Sequence, residues 1–209
     1  MTCQMSVRSG VPIVLSAPSG GGKTTIARRV IDHLGSAVFS ISHTTRPLRG
    51  SERDGIDYHF VDDATFDDMV SRGAFLEWAS VHGKRYGTAR GHVAESLSNG
   101  LDVFFDIDVQ GGRQIVERLP GAVLVFLLPP NMQVLEQRLR GRGTDHDEQI
   151  GSRLAAAKSE IEAAMFYPYW IVNDSLEHAV REMTAIVVAE RIRRVDKHVL
   201  TWSLTGGAP

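Results

Sequence analysis

The sequence predicts an α/β fold built on a doubly wound parallel sheet, and three observations support this prediction. Short runs rich in β-branched and aromatic residues alternate with stretches of helical periodicity, which is typical of a parallel sheet covered on both faces. A glycine-rich turn joins the first of these runs to a helix. The stretch from about 42 to 89 breaks the alternation with arginines, aromatic residues and short strand-like pieces, so we expect an inserted subdomain there.

The individual elements follow from the same patterns. Five strands are predicted at about residues 11–16, 37–41, 101–107, 122–128 and 169–172. Two helices are predicted late in the chain because apolar residues repeat at helical spacing: Ile150, Leu154, Ala157 and Ile161 in one, and Leu176, Val180, Met183 and Val187 in the other. Both rows are interpreted as faces that pack on a core.

The composition limits the class of protein. With 209 residues, 43% of them hydrophobic and 23% charged, the chain can bury a large core and is typical of globular proteins. A formal net charge of -2 gives no general attraction to nucleic acids or acidic membranes, so neither is expected as a partner, and an anion must be bound by clustered arginines. No apolar run approaches the roughly twenty residues that cross a bilayer, and no targeting segment is visible. We therefore expect a cytoplasmic protein.

Cysteine and histidine offer no sign of a transition-metal site. Cys3 is the single cysteine, which excludes an internal disulfide and a cysteine-rich metal site. His59, His82 and His92 are scattered along the sequence, and these histidines and His43 are interpreted as structural or surface groups.

The glycine-rich turn is the first motif that carries chemistry. It reads Ala17, Pro18, Ser19, Gly20, Gly21, Gly22, Lys23, Thr24 and lies between a predicted strand and a predicted helix. Glycines let successive backbone N–H groups turn inward around a phosphate, and the helix start adds the positive end of a dipole. Lys23 can then reach the outer phosphates, and Thr24 can bind magnesium. The turn is therefore interpreted as a P-loop for a nucleoside triphosphate; the alternative is a plain strand-to-helix turn, because Ala17 stands where the general pattern has glycine.

A second group of motifs lies in the inserted stretch: SHTTRPLRGSE at 42–52, GIDYHF at 55–60, FLEW at 75–78 and YGT at 86–88. Together with the P-loop, DIDVQG at 106–111 and IVND at 171–174, these motifs resemble those of the guanylate kinases over residues 11 to about 195. The resemblance implies an enzyme that uses ATP and magnesium to phosphorylate GMP, and dGMP, in purine nucleotide metabolism. Its implied partners are these small molecules, and the oligomeric state is left open.

The chemistry of GMP agrees with the residue types in the inserted stretch. Its phosphate is a dianion, to which Arg46 and Arg49 can offer fork-shaped donors while the hydroxyls of Tyr58 and Tyr86 complete the shell. Taken singly, each arginine is more simply a solvated loop charge. The order and spacing of the whole set favour the binding site.

The base of GMP requires a different set of side chains. Guanine presents N1–H and N2–H₂ donors, which the carboxylate of Glu77 can accept, and adenine lacks this donor pair. The hydroxyls of Ser42 and Thr88 can donate to guanine O6, so that a wrong base would leave buried polar groups unpaired. For Glu77 alone, the capping of a strand edge is the simpler interpretation. Arg85, where the family more often has Asn or Tyr, is expected to add charge near the phosphate or to change the rigidity of the loop.

Two acids follow the central strand, Asp106 and Asp108, which strand alternation places on one face. In P-loop enzymes an acid at this position holds magnesium beside the P-loop hydroxyl, so the predicted magnesium ligands are Thr24 and Asp106. By resemblance, one of the two acids also touches GMP, and the sequence leaves open which one does so. A helix N-cap or a buried ion pair is the alternative for either acid taken alone.

A dense basic cluster flanked by glycines, at 138–144 with Arg153 on the following helix, is interpreted as a lid. The resemblance implies that Arg138, Arg142 and Arg153 close over ATP and stabilise the transferring group, and that Asn173 contacts adenine. Arg140 is interpreted as a solvated helix-end residue and is excluded from the site.

The sequence thus predicts one domain over residues 1–209. It has a P-loop core at about 11–41, 90–128 and 160–195, a GMP-binding subdomain at about 42–89, a helical lid at about 129–159 and loose tails at 1–10 and 201–209. The predicted catalytic residues are Lys23, Arg46, Arg138, Arg142 and Arg153. The ATP-binding set is Ala17, Pro18, Ser19, Gly20, Gly21, Gly22, Lys23, Thr24, Thr25 and Asn173. The GMP-binding set is Ser42, Arg46, Arg49, Tyr58, Glu77, Tyr86, Gly87, Thr88, Asp106 and Asp108.

Three other functions compete with this prediction. A kinase for a ribose bisphosphate acceptor would give Glu77 nothing to bind. A noncatalytic guanylate-kinase-like module that binds proteins would have lost phosphate-binding residues, yet Lys23 and Arg46 are present. A GTPase would carry an Asn-Lys-x-Asp motif, which the sequence lacks.

Overall fold

The computed structural model describes residues 9–81, 83–141 and 147–193. In chain order its elements are β1 (Pro12–Ser16), α1 (Lys23–Leu34), β2 (Ala37–Phe39), β3 (His43–Thr44), β4 (His59–Phe60), α2 (Asp63–Ser71), β5 (Phe75–Val81), β6 (Lys84–Ala89), α3 (Arg90–Ser98), β7 (Asp102–Asp106), α4 (Val109–Arg118), β8 (Val123–Leu128), α5 (Met132–Arg140), α6 (Asp147–Ala163), a 3-10 turn (Ala164–Phe166), β9 (Tyr169–Val172) and α7 (Leu176–Arg193). No helix within the described ranges is both long and apolar enough to cross a bilayer.

The central sheet has five parallel strands in the order β2-β7-β1-β8-β9. All five predicted strands are confirmed, with ends that differ by at most two residues. All five residues of β1 are buried because helices cover both faces of the sheet. The predicted α/β class and parallel sheet are therefore confirmed.

Each face of the sheet has its own apolar cluster. On one face, Ile13 and Leu15 of β1 pack with residues of α1 and α7, including Met183 and Val187 of the predicted row. On the other face, Val14 packs with residues of α3 and α4. Because consecutive side chains of β1 enter opposite clusters, the sheet is wound on both sides.

The inserted stretch forms a second sheet, of four strands in the order β4-β3-β6-β5, and α2 packs beside it. β3 pairs with β4 in parallel, while β6 pairs with both β3 and β5 in antiparallel fashion. Phe66 of α2 packs against Phe75 of β5, with ring centroids 4.7 Å apart and the rings tilted by 33°, and gives this sheet a small core of its own.

A third apolar cluster joins α5 to α6. It contains Leu135, Leu139, Ile150 and Ala157. The row predicted for α6 is confirmed, but its last member, Ile161, packs against the core cluster on the α4 side of the central sheet. Helix α6 therefore connects two packing environments.

Candidate active site

The P-loop leaves β1 and enters α1, which begins at Lys23, so the predicted strand and helix on either side of the turn are confirmed. Gly20 and Gly22 both have φ of +90°, a conformation that side chains rarely adopt. Gly22 is the N-cap, and within the described ranges no side chain caps the helix start. Its first N–H groups are therefore available to an anion.

Lys23, Thr24 and Asp106 meet where β7 ends beside the loop. Thr24 donates from Oγ1 to Asp106 Oδ2 at 2.6 Å, and Lys23 Nζ lies 3.7 Å from Asp106 Oδ1. Lys23 also donates to the carbonyl of Ala17 at 3.3 Å, so Ala17 contributes its backbone where the general motif has glycine. The hydroxyl and the carboxylate fit a magnesium ion, because both offer hard oxygen ligands.

Asp108 takes a different position from its neighbour Asp106. Strand β7 ends at Asp106, so the alternation that placed both acids on one face does not reach Asp108. Asp108 instead forms the N-cap of α4 and accepts the backbone N–H of Gly111 at 2.8 Å. The alternative of a helix cap is therefore the observed arrangement for Asp108, and a contact between Asp108 and GMP stays a prediction.

A cavity of about 260 Å³ opens between the P-loop and the second sheet. Thr24 and Asp106 line it from the core, while Ser42, Glu52 and Tyr58 line it from the inserted stretch. Residues that were predicted to bind the triphosphate and residues that were predicted to bind the acceptor thus line the same cavity.

Arg46 is buried, with 6% of its side chain exposed, and its charge is paired. Its two terminal nitrogens donate to the two carboxylate oxygens of Glu52 at 2.8 and 2.7 Å. The guanidinium also lies over the ring of Tyr58, 5.1 Å from the centroid. These hydrogen bonds raise the pKa of Arg46, with a further contribution from Tyr86. Sequence reasoning missed Glu52, although it ends the SHTTRPLRGSE motif; an acid six residues after Arg46 was the available signal.

A second cavity, of about 330 Å³, lies between the inserted stretch and α6. Arg49, Lys84 and Tyr86 line it on one side, and Arg153 lines it on the other. Arg153 also donates to the Ser19 hydroxyl of the P-loop at 3.4 Å. The predicted acceptor arginine and the predicted lid arginine therefore face each other.

Glu77 is 3% exposed and accepts a hydrogen bond from the Thr88 hydroxyl at 2.6 Å. Burial raises the pKa of Glu77 to about 7, and the negative charge of Asp108 acts in the same direction, while Thr88 and Arg118 act against them. The Thr88 hydroxyl is thus directed at Glu77, and its donation to guanine O6 stays a prediction. Gly87, paired with Trp78, has a packing role: a Cβ there would lie 3.0 Å from the ring of Phe75.

Asn173 contacts the P-loop itself. Its Nδ2 donates to the carbonyl of Gly21 at 2.8 Å, and its own carbonyl accepts from Arg138 Nη2 at 2.8 Å. The side-chain amide of Asn173 therefore braces the loop, and its contact with adenine stays a prediction. Arg138 Nη1 is buried without a hydrogen-bond partner among the described residues, so one strong donor remains for a ligand.

Three remaining residues of the sequence analysis have different outcomes. Thr25 is exposed on the first turn of α1. Arg140 pairs with Glu136 and Asp147 on the surface. Arg142 lies outside the described residues.

The expectation that Arg85 adds charge near the acceptor phosphate is wrong. Its guanidinium pairs with Asp63 and Asp67 of α2 and lies over the ring of Phe66. Neighbouring residues of a strand point to opposite faces, so Arg85 turns away from the cavity that Tyr86 lines.

Three of these histidines, His43, His59 and His92, lie together, and His82 lies outside the described residues. His43 and His59 have ring centroids 4.6 Å apart, and His59 stacks on His92 at 6.2 Å. Burial, followed by these two neighbours, lowers the pKa of His43 to about 4. Within the part of the chain that the structure describes, no group of histidines, cysteines and acids is arranged to hold a metal ion.

A P-loop on a doubly wound parallel sheet, facing a second basic site on an inserted sheet, defines the class of P-loop nucleotide-binding proteins with two ligand sites. Comparison with known proteins narrows this class. The sequence model described as guanylate kinase matches residues 9–190. Guanylate kinase of Myxococcus xanthus (strain DK1622) is 52% identical over 186 residues, which cover 88% of this chain and 89% of the relative.

Two further comparisons agree. Guanylate kinase of Anaeromyxobacter dehalogenans (strain 2CP-C) is 53% identical over 190 residues, covering 90% of this chain and 84% of the relative. The crystal structure of guanylate kinase from Anaplasma phagocytophilum superposes with a TM-score of 0.79 at 32% identity, covering 98% of this chain and 100% of that one. The chain belongs to the guanylate kinase family.

Proposed function

We propose that this chain transfers the γ-phosphoryl group of ATP to GMP, and to dGMP, yielding ADP and GDP in cytoplasmic purine nucleotide metabolism. One observation carries the proposal: Thr24, which follows the P-loop lysine, and Asp106, at the end of β7, line the same cavity as Ser42 and Tyr58 of the inserted stretch. A donor phosphate and an acceptor phosphate can be held next to each other there.

The triphosphate side uses the P-loop. The free N–H groups at the start of α1 and the ammonium of Lys23 bind the phosphates of ATP. Thr24 and Asp106 would hold the magnesium ion, which when bound neutralises negative charge on the phosphate oxygens. The free donor of Arg138 and the position of Asn173 beside the loop support a nucleotide site at this end.

The acceptor side reads GMP in two parts. Arg46, Arg49, Tyr58 and Tyr86 surround the phosphate, with Arg46 held in place by its bond to Glu52. Glu77, in its ionised form, accepts the donors on the guanine edge. Because the pKa of Glu77 is about 7 without ligand, GMP binding near neutral pH releases a proton.

The chemistry depends on positioning and positive charge more than on a base, since the acceptor phosphate is already ionised. Arg153 approaches both the P-loop and the cavity lined by Arg49, which supports a role across the transferring group. We propose the same role for Arg142. We further propose that the subdomain at about 42–89 and the lid at about 129–159 move toward each other over the two substrates.

A coupled assay of ADP release tests the proposed function. With ATP and magnesium, turnover should require GMP or dGMP, and AMP, CMP and UMP should be nearly inactive. Lys23→Met should abolish turnover, while Lys158→Met, on the exposed face of α6, should not change it. Equal use of AMP and GMP would contradict the assignment of Glu77.

A further inference from the structure

Helix α4 holds the strand segment that carries Glu77. Gln114 exchanges two hydrogen bonds with the backbone of Trp78: the Trp78 N–H donates to Gln114 Oε1 at 3.3 Å, and Gln114 Nε2 donates to the Trp78 carbonyl at 2.9 Å. A primary amide offers both an acceptor and a donor, so it can pair with a strand residue as a neighbouring strand would. The residue that follows Glu77 is thereby fixed to the core.

The residue that precedes Glu77 is fixed by the same helix. Arg118 donates from Nη1 to the carbonyl of Leu76 at 2.8 Å. Gln114 and Arg118 are four residues apart and therefore lie on one face of α4. Gly111, one turn earlier on this face, leaves room for the carboxylate: a Cβ at Gly111 would lie 3.0 Å from Glu77 Oε2.

The held segment is a β-bulge. Phe75 pairs with Ala89 and Glu77 pairs with Thr88, so Leu76 is an extra residue in β5. Phe75, Leu76 and Glu77 are consecutive and all buried, at 3%, 2% and 3% exposure. A regular strand would turn one of Leu76 and Glu77 to the opposite face, and a bulge is the backbone feature that re-aims such a side chain.

We infer that Gln114 and Arg118 are positioning residues for base selection: they clamp the β5 bulge against α4, so that the Glu77 carboxylate keeps one orientation toward the guanine edge of GMP. The inference rests on the proposed function and deepens it. Glu77 belongs to the second sheet by its strand, yet its flanking residues are fastened to a helix of the core. The position of Glu77 is therefore set by the half of the molecule that carries the P-loop.

The test uses Gln114→Ala and Arg118→Met, with Glu117→Gln on α4 and Arg72→Met on the surface of the inserted stretch as matched controls. Each variant is assayed with GMP and with IMP, which lacks the exocyclic amine and so offers Glu77 one donor group fewer. Both test variants should raise KM for GMP about tenfold and lower the preference for GMP over IMP to a similar extent, while KM for ATP changes less than about twofold. The controls should match the wild type.

Three further readouts separate positioning from a general loss of structure. Arg118→Lys keeps a charged donor and should recover most of the selectivity that Arg118→Met loses. Arg118→Met removes a positive charge near Glu77, so the kcat/KM profile for GMP should shift to higher pH, whereas Gln114→Ala should weaken GMP use without that shift. The melting temperatures of all variants should remain close to that of the wild type.

GMP binding measured by calorimetry, without ATP, separates the two levels of the argument. Wild-type protein that does not bind GMP would overturn the proposed function and this inference together. Wild-type binding combined with an unchanged GMP to IMP ratio in Gln114→Ala and Arg118→Met would overturn the inference alone.

Discussion

Asn173 donates from Nδ2 to the carbonyl oxygen of Gly21 at 2.8 Å, and this bond joins the end of β9 to the P-loop. A Cβ at Gly22 would lie 2.7 Å from the same nitrogen, so the loop and the amide fit closely. Both partners are buried. The shape of the triphosphate site thus depends on a residue 152 positions away in the sequence.

Asn173→Ala should therefore weaken ATP binding and stability together. The change leaves the Gly21 carbonyl without its donor, which costs about 1–3 kcal/mol in a buried site. We expect a higher KM for ATP, a lower melting temperature and an unchanged KM for GMP. Asn99→Ala, at the exposed end of α3, is the control for loss of an asparagine. An unchanged KM for ATP would show that the bond does not shape the loop.

Glu77→Gln should stabilise the nucleotide-free protein at high pH. The folded pKa of about 7 lies above the reference value of 4.5, so between these values the folded chain binds more protons and its free energy of unfolding falls as the pH rises. The loss of folding free energy caused by ionising Glu77 is complete above about pH 7 and amounts to at most about 3 kcal/mol. Urea denaturation at pH 5 and pH 8 measures it.

The advantage of Glu77→Gln over the wild type should be small at pH 5 and large at pH 8. Glu162→Gln, which alters an exposed glutamate of α6, should show no such growth. In the coupled assay the wild-type KM for GMP should rise as the pH falls below about 7, since protonated Glu77 must lose its proton to accept both guanine donors.

Glu52→Gln should make the protein depend on its acceptor for stability. The change removes half of a partly buried ion pair and leaves Arg46 with an unmatched charge, so the variant should be less stable than the wild type. A bound phosphate dianion replaces the missing charge, so GMP should raise the melting temperature of the variant more than that of the wild type. The surface pair of Glu136 and Arg140 supplies the control, and Glu136→Gln should have little effect. A smaller response to GMP in Glu52→Gln would contradict the role of Arg46.

The half-buried His43 should make the free energy of unfolding fall as the solution becomes acidic. His43, with a pKa lowered to about 4, remains neutral in the fold but takes up a proton near pH 6.5 when unfolded. The unfolded chain then binds more protons, so stability present at neutral pH is lost as the pH falls from about 6.5 toward 4. His59 and His92 favour the neutral form, whereas Asp54 opposes them. His43→Phe should flatten this part of the pH dependence in denaturation experiments; an equally steep profile would assign it to other groups.

The central sheet could be predicted because a parallel strand covered on both faces reads as a continuous apolar run, as β1 and β8 do. The P-loop could be predicted because its glycines and Lys23 are consecutive. Strands β3 and β4 could not, since two residues each give no periodicity.

The hydrogen bonds that side chains make inside the site could not be predicted from local sequence patterns. The bond between Glu52 and Arg46, the direction of the Thr88 hydroxyl and the clamp from Gln114 depend on which elements meet in space. The bulge at Leu76 also breaks the alternation on which strand reasoning relies. For Asp108, the competing interpretation as a helix cap was physically sound, and the early end of β7 decides in its favour.

Helix α6 is unbroken from Asp147 to Ala163, and Ile150 and Ile161 sit in different apolar clusters. At about 1.5 Å per residue, Ile150 and Ile161 lie about 16 Å apart along one continuous helix, so a rotation of the helix at one end displaces residues further along it. A tilt of about 15° at the Ile161 end would carry Arg153 through about 3 Å, given the same rise per residue. That travel is comparable with the 3.4 Å between Arg153 and Ser19. A small tilt of α6 at the core can therefore form or break the contact between Arg153 and the P-loop without any change in the backbone torsions of the helix.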